Sequence, residues 1–234
     1  MTTEELVKAL NEALGPGLKS VVLFGSAAAG DFVKGVSGHD VLIVADKLGA
    51  AELAALSAPL ARWRQAGNPQ PQLFTAAELA GSADVFPIEF MQMEKARKIL
   101  FGRDPFEFVK ISRANLRHQT EYELRTGLIR LRRLYIPAST SAERLANLMT
   151  DSLGSFAALF RAFLILQGQE PPVSKQETID AITQLLGLDA TPFPRILALH
   201  NDGAATLTID QANSLFASYM VQIEKVIEAV DRIE

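Results

Sequence analysis

Cysteine is absent from this 234-residue chain, which rules out a disulfide, a thiol nucleophile and a zinc–thiolate centre. An excess of positive charge is also missing. The formal net charge of −4 argues against broad binding of nucleic-acid backbones and leaves open only a local basic stripe. Charged residues interrupt the apolar runs before they reach membrane-spanning length, so the expectation is no membrane association. The chain opens Met1-Thr2-Thr3-Glu4-Glu5-Leu6, acidic where a secretory signal is basic and then apolar. No internal repeat or low-complexity tract stands out. These absences lead to the expectation of a cytoplasmic globular protein.

What is present is ample core material, with 48% hydrophobic and 21% charged residues. Thr3 is positioned to cap a helix running to Leu14, which Gly15-Pro16-Gly17 ends. Leu18 to Phe24 and Asp40 to Ala45 read as buried strands rich in Val, Ile and Leu. An Ala/Leu helix follows from Gly49 to Ala66, broken by Gly67-Asn68-Pro69-Gln70-Pro71. Gln72 to Phe74 offers a short strand, Thr75 and Glu78 a capping box, and Phe86 to Met93 a last strand. This order predicts a mixed sheet with helices against one face. Beyond Phe101-Gly102-Arg103-Asp104-Pro105 strand signals cease. Helices are expected over 112–135, 141–167, from Ser174-Lys175-Gln176-Glu177 to Gly187, and over 209–233. The expectation is an α+β chain with an α/β domain over 1–108 and an all-α antiparallel helix bundle over 109–234.

The most informative segment is Leu23-Phe24-Gly25-Ser26-Ala27-Ala28-Ala29-Gly30, followed by Ser37-Gly38-His39-Asp40-Val41-Leu42-Ile43-Val44. It reads as a strand, a Gly-Ser corner, a loop, and a second strand with a carboxylate near its start. A glycine at the corner permits close backbone approach, and main-chain N–H groups there suit phosphate oxygens. This resembles the signature of the nucleotidyltransferase superfamily, the fold of DNA polymerase beta, aminoglycoside nucleotidyltransferases and small antitoxin nucleotidyltransferases. The resemblance implies a nucleotidyltransferase-like mixed sheet, with Gly25 and Ser26 facing a nucleoside triphosphate and Asp40 holding Mg2+. It also implies a bundle that covers the cleft and meets the acceptor. The family carries Asp-x-Asp on the second strand, and here Gly38 stands where the first Asp falls. Side chains two apart on a strand share a face, so one carboxylate remains. His39 points the other way and is a poor replacement. The arginine that members often carry near the second glycine is replaced by the run Ala27 to Ala29.

The same resemblance places a further carboxylate on a later strand, where Glu89 is the natural candidate, as metal ligand or as base toward an acceptor hydroxyl. Asp31 is a more distant substitute. Arg113, Arg117, Arg125, Arg130, Arg132 and Arg133 crowd the first bundle helix. The spacing of Arg117, Glu121 and Arg125 predicts an ion-paired helix face rather than a phosphate patch. Arg113 to His118 and Arg195 to His200 fit the loose Arg–His pattern of bundle-type RNases, a pattern that arises readily by chance. The implied reaction transfers a nucleoside monophosphate from a nucleoside triphosphate to a hydroxyl acceptor, weakened by Gly38. The alternative is a non-catalytic nucleotide-binding, regulatory or interaction protein. Such a protein would use the bundle for a homodimer or another protein partner.

Overall fold

A computed structural model describes residues 1–29, 38–107, 109–172, 174–202 and 207–233, apart from the side chains of Ser26, Ala29, His200, Asn201 and Asp202. Asp31 and Ser37 lie outside the described residues. Contacts divide the chain into Met1–Ser112 and Arg113–Glu234.

In the first unit, α1 (Thr3–Leu14) starts at Thr2, one residue earlier than the sequence suggests. The Thr2 amide donates to Glu5 Oε2 at 2.9 Å and the Glu5 amide to Thr2 Oγ1 at 3.2 Å, a reciprocal cap. A 3-10 turn at Gly15–Gly17 leads into β1 (Leu18–Phe24). Then come α2 (Ser26–Ala29), β2 (Asp40–Ala45), α3 (Ala50–Gln65), β3 (Gln72–Thr75), α4 (Ala76–Gly81), α5 (Pro87–Lys95) and β4 (Arg97–Gly102). The sheet order is β3-β2-β1-β4. β1 runs antiparallel to β2 and to β4, and β3 pairs with β2 in parallel after the α3 crossover.

Two expectations are corrected here. Residues 86–93 form a helix rather than a strand, because Pro87 sits in its first turn, where its fixed φ and missing N–H are tolerated. The last strand lies further on, at Arg97–Gly102, on the sheet edge. The sheet is also covered on both faces, not one. Val21, Leu23, Val41 and Ile43 pack with Leu6, Leu10, Leu56 and Trp63 from α1 and α3. The alternating residues Val22, Leu42 and Val44 pack with Leu79, Phe90, Met93 and Phe106. Two-sided burial is why β1 and β2 read as nearly continuous apolar runs.

The second unit comprises α6 (Arg113–Ala138), α7 (Ala142–Leu166), α8 (Lys175–Leu186), α9 (Pro192–Asp202) and α10 (Ile209–Asp231). A short turn makes α6 and α7 antiparallel neighbours. Ser141, Ser174 and Thr208 cap α7, α8 and α10, and left-handed Gly187 closes α8. Pro137 lies inside the end of α6. By length and composition α7 is apolar enough to cross a membrane. Its Met149, Leu153, Phe156, Phe160 and Phe163 are instead buried, and α6, α8, α9 and α10 all pack against it. Phe156 and Phe193 meet the Tyr219 ring edge-on, and Tyr219 Oη lies 3.2 Å from Ser152 Oγ.

Candidate functional site

The end of β1 and the start of β2 are brought side by side by antiparallel pairing, with Phe24 opposite Asp40. Gly25 follows at φ +72°, a left-handed conformation that favours glycine. Its N–H donates to the Ala96 carbonyl at 3.1 Å, and its carbonyl accepts from Ala28 at 3.0 Å. The Gly25 amide is therefore tied to the sheet rather than offered to a ligand. A methyl group placed on Gly25 would lie 3.2 Å from Asp40 Oδ2. The missing side chain thus keeps open the space in front of the carboxylate. Ser26 opens the α2 turn beside Gly25; its side chain is outside the described set.

Asp40 shares the sheet face of Leu42 and Val44, the face covered by α4 and α5. It is half-buried. Burial pushes its carboxyl above the ordinary carboxylate value, and the charge of His39 offsets this only in part. Among the described residues it forms no ion pair. His39 turns to the other face, with its ring 6.1 Å from Trp63 and tilted by 60°.

Gly38 sets the limit of the site. Its φ is not left-handed, yet a Cβ there would overlap Pro69 Cδ and sit 2.9 Å from Pro69 Cγ. The position that the resemblance assigns to a second carboxylate is filled by the proline ring. Glu89 lies in the first turn of α5, not on a strand. It is half-buried, between Ile88 and Phe90, which are 7% and 1% exposed. Strand alternation therefore says nothing about its direction, although its helix does cover the face that carries Asp40. No group of three or more His, Asp or Glu able to enclose a metal occurs among the described residues. Magnesium accepts one or two protein carboxylates when phosphates and water complete its shell. The donor set present fits an ion brought in with a triphosphate and does not fit a dedicated protein cage.

Sequence reasoning missed Arg97. It lies opposite Phe24 from the β4 side, so Asp40, Phe24 and Arg97 stand in one row across the sheet. Two strand spacings separate the two charged residues, about 10 Å. Arg97 is already committed. Its Nε and Nη2 donate to Asp104 Oδ2 at 3.1 and 2.7 Å, Nη1 donates to the Glu94 carbonyl, and the guanidinium lies 5.5 Å from the Phe106 ring centre. Burial pushes the Asp104 carboxyl up, but the Arg97 bond and the Phe106 amide outweigh it and hold the value low. An Arg at the start of a short basic strand carries no motif that would have revealed it.

Of the bundle arginines, Arg117 and Arg125 pair through Glu121 as their spacing predicts, and Arg132 is paired across helices. Glu121 meets Arg125 at 2.8 Å and Arg117 at 3.6 Å, Arg125 also reaches Asp231, and Arg132 meets Glu224. Arg113 and His118 line a hollow of about 740 Å³ with Arg117 and Asp231. Arg117 there donates to the main-chain oxygens of Asp231 and Ile233, strapping α10 to α6. The His200 side chain lies outside the described set, so the second Arg–His pair has no geometry. A hollow of about 580 Å³ beside α1 and α3 shares no residue with the Gly25–Asp40 end of the sheet.

No family model matches the chain, and no curated protein matches it. Among solved structures, the chain is similar to spectinomycin adenyltransferase AAD(9) from Enterococcus faecialis, determined with ATP and spectinomycin. The TM-score is 0.58 at 14% identity, covering 95% of this chain and 100% of that one. At that identity the likeness establishes a shared nucleotidyltransferase-like α+β fold.

Proposed function

We propose that the first unit binds a nucleoside triphosphate with Mg2+ and transfers its nucleoside monophosphate to the hydroxyl of a small acceptor, at a rate held down by a single strand carboxylate. The observation carrying this reading is the juxtaposition of the two motif residues. Gly25 leaves a space whose wall is Asp40 Oδ2, at the paired ends of β1 and β2. The fold shared with an adenyltransferase solved with ATP and spectinomycin supports the same chemistry.

In the proposed reaction the acceptor oxygen bonds to the α-phosphorus as the α–β phosphoanhydride breaks, and pyrophosphate leaves. Magnesium entering with the triphosphate supplies neutralisation of phosphate charge. Asp40 would hold that ion. Gly25 keeps the approach clear, while the amides that open the α2 turn, beginning at Ser26, face the phosphates. Glu89 is the proposed second ligand, or the base that takes the acceptor proton.

Calorimetry of the four nucleoside triphosphates, with and without magnesium, tests the reading. Pyrophosphate release is followed in parallel with aminocyclitol and sugar acceptors. Magnesium-dependent binding that Asp40→Asn abolishes is the expected result. Absence of binding by any nucleotide overturns the proposal. A second reading, binding without transfer, draws on the Pro69 ring that bars a carboxylate at Gly38. Tight magnesium-dependent binding with no pyrophosphate release from any acceptor selects it.

A further inference from the structure

The segment Gly67-Asn68-Pro69-Gln70-Pro71 ends α3 and leads to β3, and its hydrogen bonds join Trp63 of α3 to His39 just before β2. Asn68 Oδ1 accepts the main-chain N–H of His39 at 3.2 Å and faces His39 Nδ1 at 3.0 Å. An amide oxygen only accepts, so Nδ1 carries a hydrogen in this arrangement. The amide nitrogen of Asn68 donates to the Trp63 carbonyl at 3.4 Å, and Trp63 Nε1 donates to the Pro69 carbonyl at 2.9 Å. Trp63 is fully buried between the sheet and α1. The peptide preceding Asp40 is thus bonded to a side chain anchored in the core by a tryptophan.

The sequence of this segment suits a rigid part. Pro69 and Pro71 fix their own φ, and each restricts the residue before it, so Asn68 and Gln70 are confined toward extended conformations. A side chain held this way loses little further freedom on bonding His39. β2 pairing begins at Asp40, so the His39 N–H falls just outside the ladder and takes Asn68 as its acceptor.

We infer that Asn68 is a positioning residue for the nucleotide site: through His39 it fixes the start of β2 and so holds Asp40 where it can take a magnesium ion beside Gly25. The functional half of this inference rests on the proposed nucleotide binding. The brace itself does not.

Two measurements separate them. Amide hydrogen exchange at His39 and Asp40 is compared in the wild type, Asn68→Ala and Asn68→Asp, and ATP affinity is measured for each with and without magnesium. Asn68→Asp keeps an oxygen acceptor for His39, loses the long bond to Trp63 and adds a negative charge beside His39. Exchange at His39 is expected to rise at least tenfold in Asn68→Ala and to stay slow in Asn68→Asp. The gain in ATP affinity from magnesium is expected to fall about tenfold in Asn68→Ala, with magnesium-free affinity unchanged, and to return in Asn68→Asp. Should Asn68→Ala fail to fold, Asn68→Ser, whose hydroxyl falls short of His39, is expected to give the same pattern. Unchanged exchange in the alanine or serine variant overturns the brace. Faster exchange with an undiminished magnesium gain overturns the positioning role, as does an equal loss of affinity with and without magnesium. A wild type that binds no ATP overturns the nucleotide reading and the functional half with it, and exchange at His39 still decides the brace.

Discussion

In the bundle, Glu121 is shared by Arg117 and Arg125, and Arg125 extends to Asp231. In the α/β unit, Asp40 is half-buried without an ion pair among the described residues, and its carboxyl is held above the ordinary value by burial. The bundle's charges neutralise one another, with Arg125 and Asp231 half-exposed and the more enclosed Arg117 and Glu121 paired together, so each charge withdrawn from solvent has a partner. The charge on Asp40 works against stability where it stands. Sites that bind ligands commonly carry groups kept at some cost in stability, because a group matched to an absent ligand is left without its partner. On this comparison Arg117, Arg125 and Arg132 serve to link helices, and the proposed functional surface is a carboxylate beside a glycine.

The contrast is broken most forcefully at Gly38. Sequence alone invites Gly38→Asp as a repair, with a second carboxylate two residues from Asp40. The structure forbids the repair by itself, since a Cβ would overlap the Pro69 ring. Gly38→Asp is expected to cost about 1–3 kcal/mol by overpacking, read from urea unfolding. In a Pro69→Ala background that cost should fall below about 1 kcal/mol, because the Pro69 backbone nitrogen at 3.4 Å is an ordinary contact. Only in that double variant should the added carboxylate strengthen magnesium-dependent nucleotide binding. Equal costs in the two backgrounds would show that Pro69 does not govern the position.

This case also marks how far the sequence could be read. β1 and β2 were legible because Leu18 to Phe24 and Asp40 to Ala45 are dense in β-branched and apolar residues. Thr75 and Glu78 form the reciprocal cap their spacing predicts. The last strand was misplaced because Phe86 to Met93 is the more apolar segment, while the true strand begins Arg97-Lys98. It lies on a sheet edge, where charge is favoured because it discourages further pairing. α9 is not among the helices the sequence predicts; Pro192 and Pro194 fall in its first turn, where a fixed φ and a missing N–H are tolerated. At the site, the Gly25–Asp40 meeting followed from two strands and a corner. The packing of Pro69 on Gly38 and of Asn68 on His39 could not follow, since both depend on where α3 ends against the sheet.

A smaller effect sharpens the comparison at Asp40. The folded-state value of its carboxyl is raised above the ordinary 3.8, so folding favours the protonated form. The penalty is absent below about pH 3.8, where folded and unfolded chains both hold the proton. It appears as pH rises through the folded value and is fully present at neutral pH. Asp40→Asn is therefore expected to raise stability at neutral pH, by less than about 1 kcal/mol since the carboxylate keeps some solvent. The gain should vanish on acidification, while magnesium-dependent nucleotide binding is lost. Thermal unfolding between pH 3.5 and 7.5 reads the first effect and calorimetry the second. A variant less stable at neutral pH would mean that Asp40 is held by a favourable partner and serves the fold.

The smallest expected effect lies in the bundle, and it decides whether the arginines there are structural. Arg132 Nη2 lies 2.6 Å from Glu224 Oε1, joining α6 to α10, with the two side chains 53% and 36% exposed. Solvent and salt screen such a pair, and holding two long side chains in register offsets much of the Coulomb gain. A double-mutant cycle of Arg132→Ala and Glu224→Ala should give a coupling of about 0.5 kcal/mol at low salt. The coupling should shrink toward zero at molar salt, where the screening length falls to about 3 Å. Nucleotide affinity should be the same in all four proteins of the cycle. If Arg132→Ala alone weakened ATP binding while Glu224→Ala strengthened it, Glu224 would be restraining a guanidinium that the nucleotide competes for. The division between a structural bundle and a functional carboxylate would then have to be redrawn around α6.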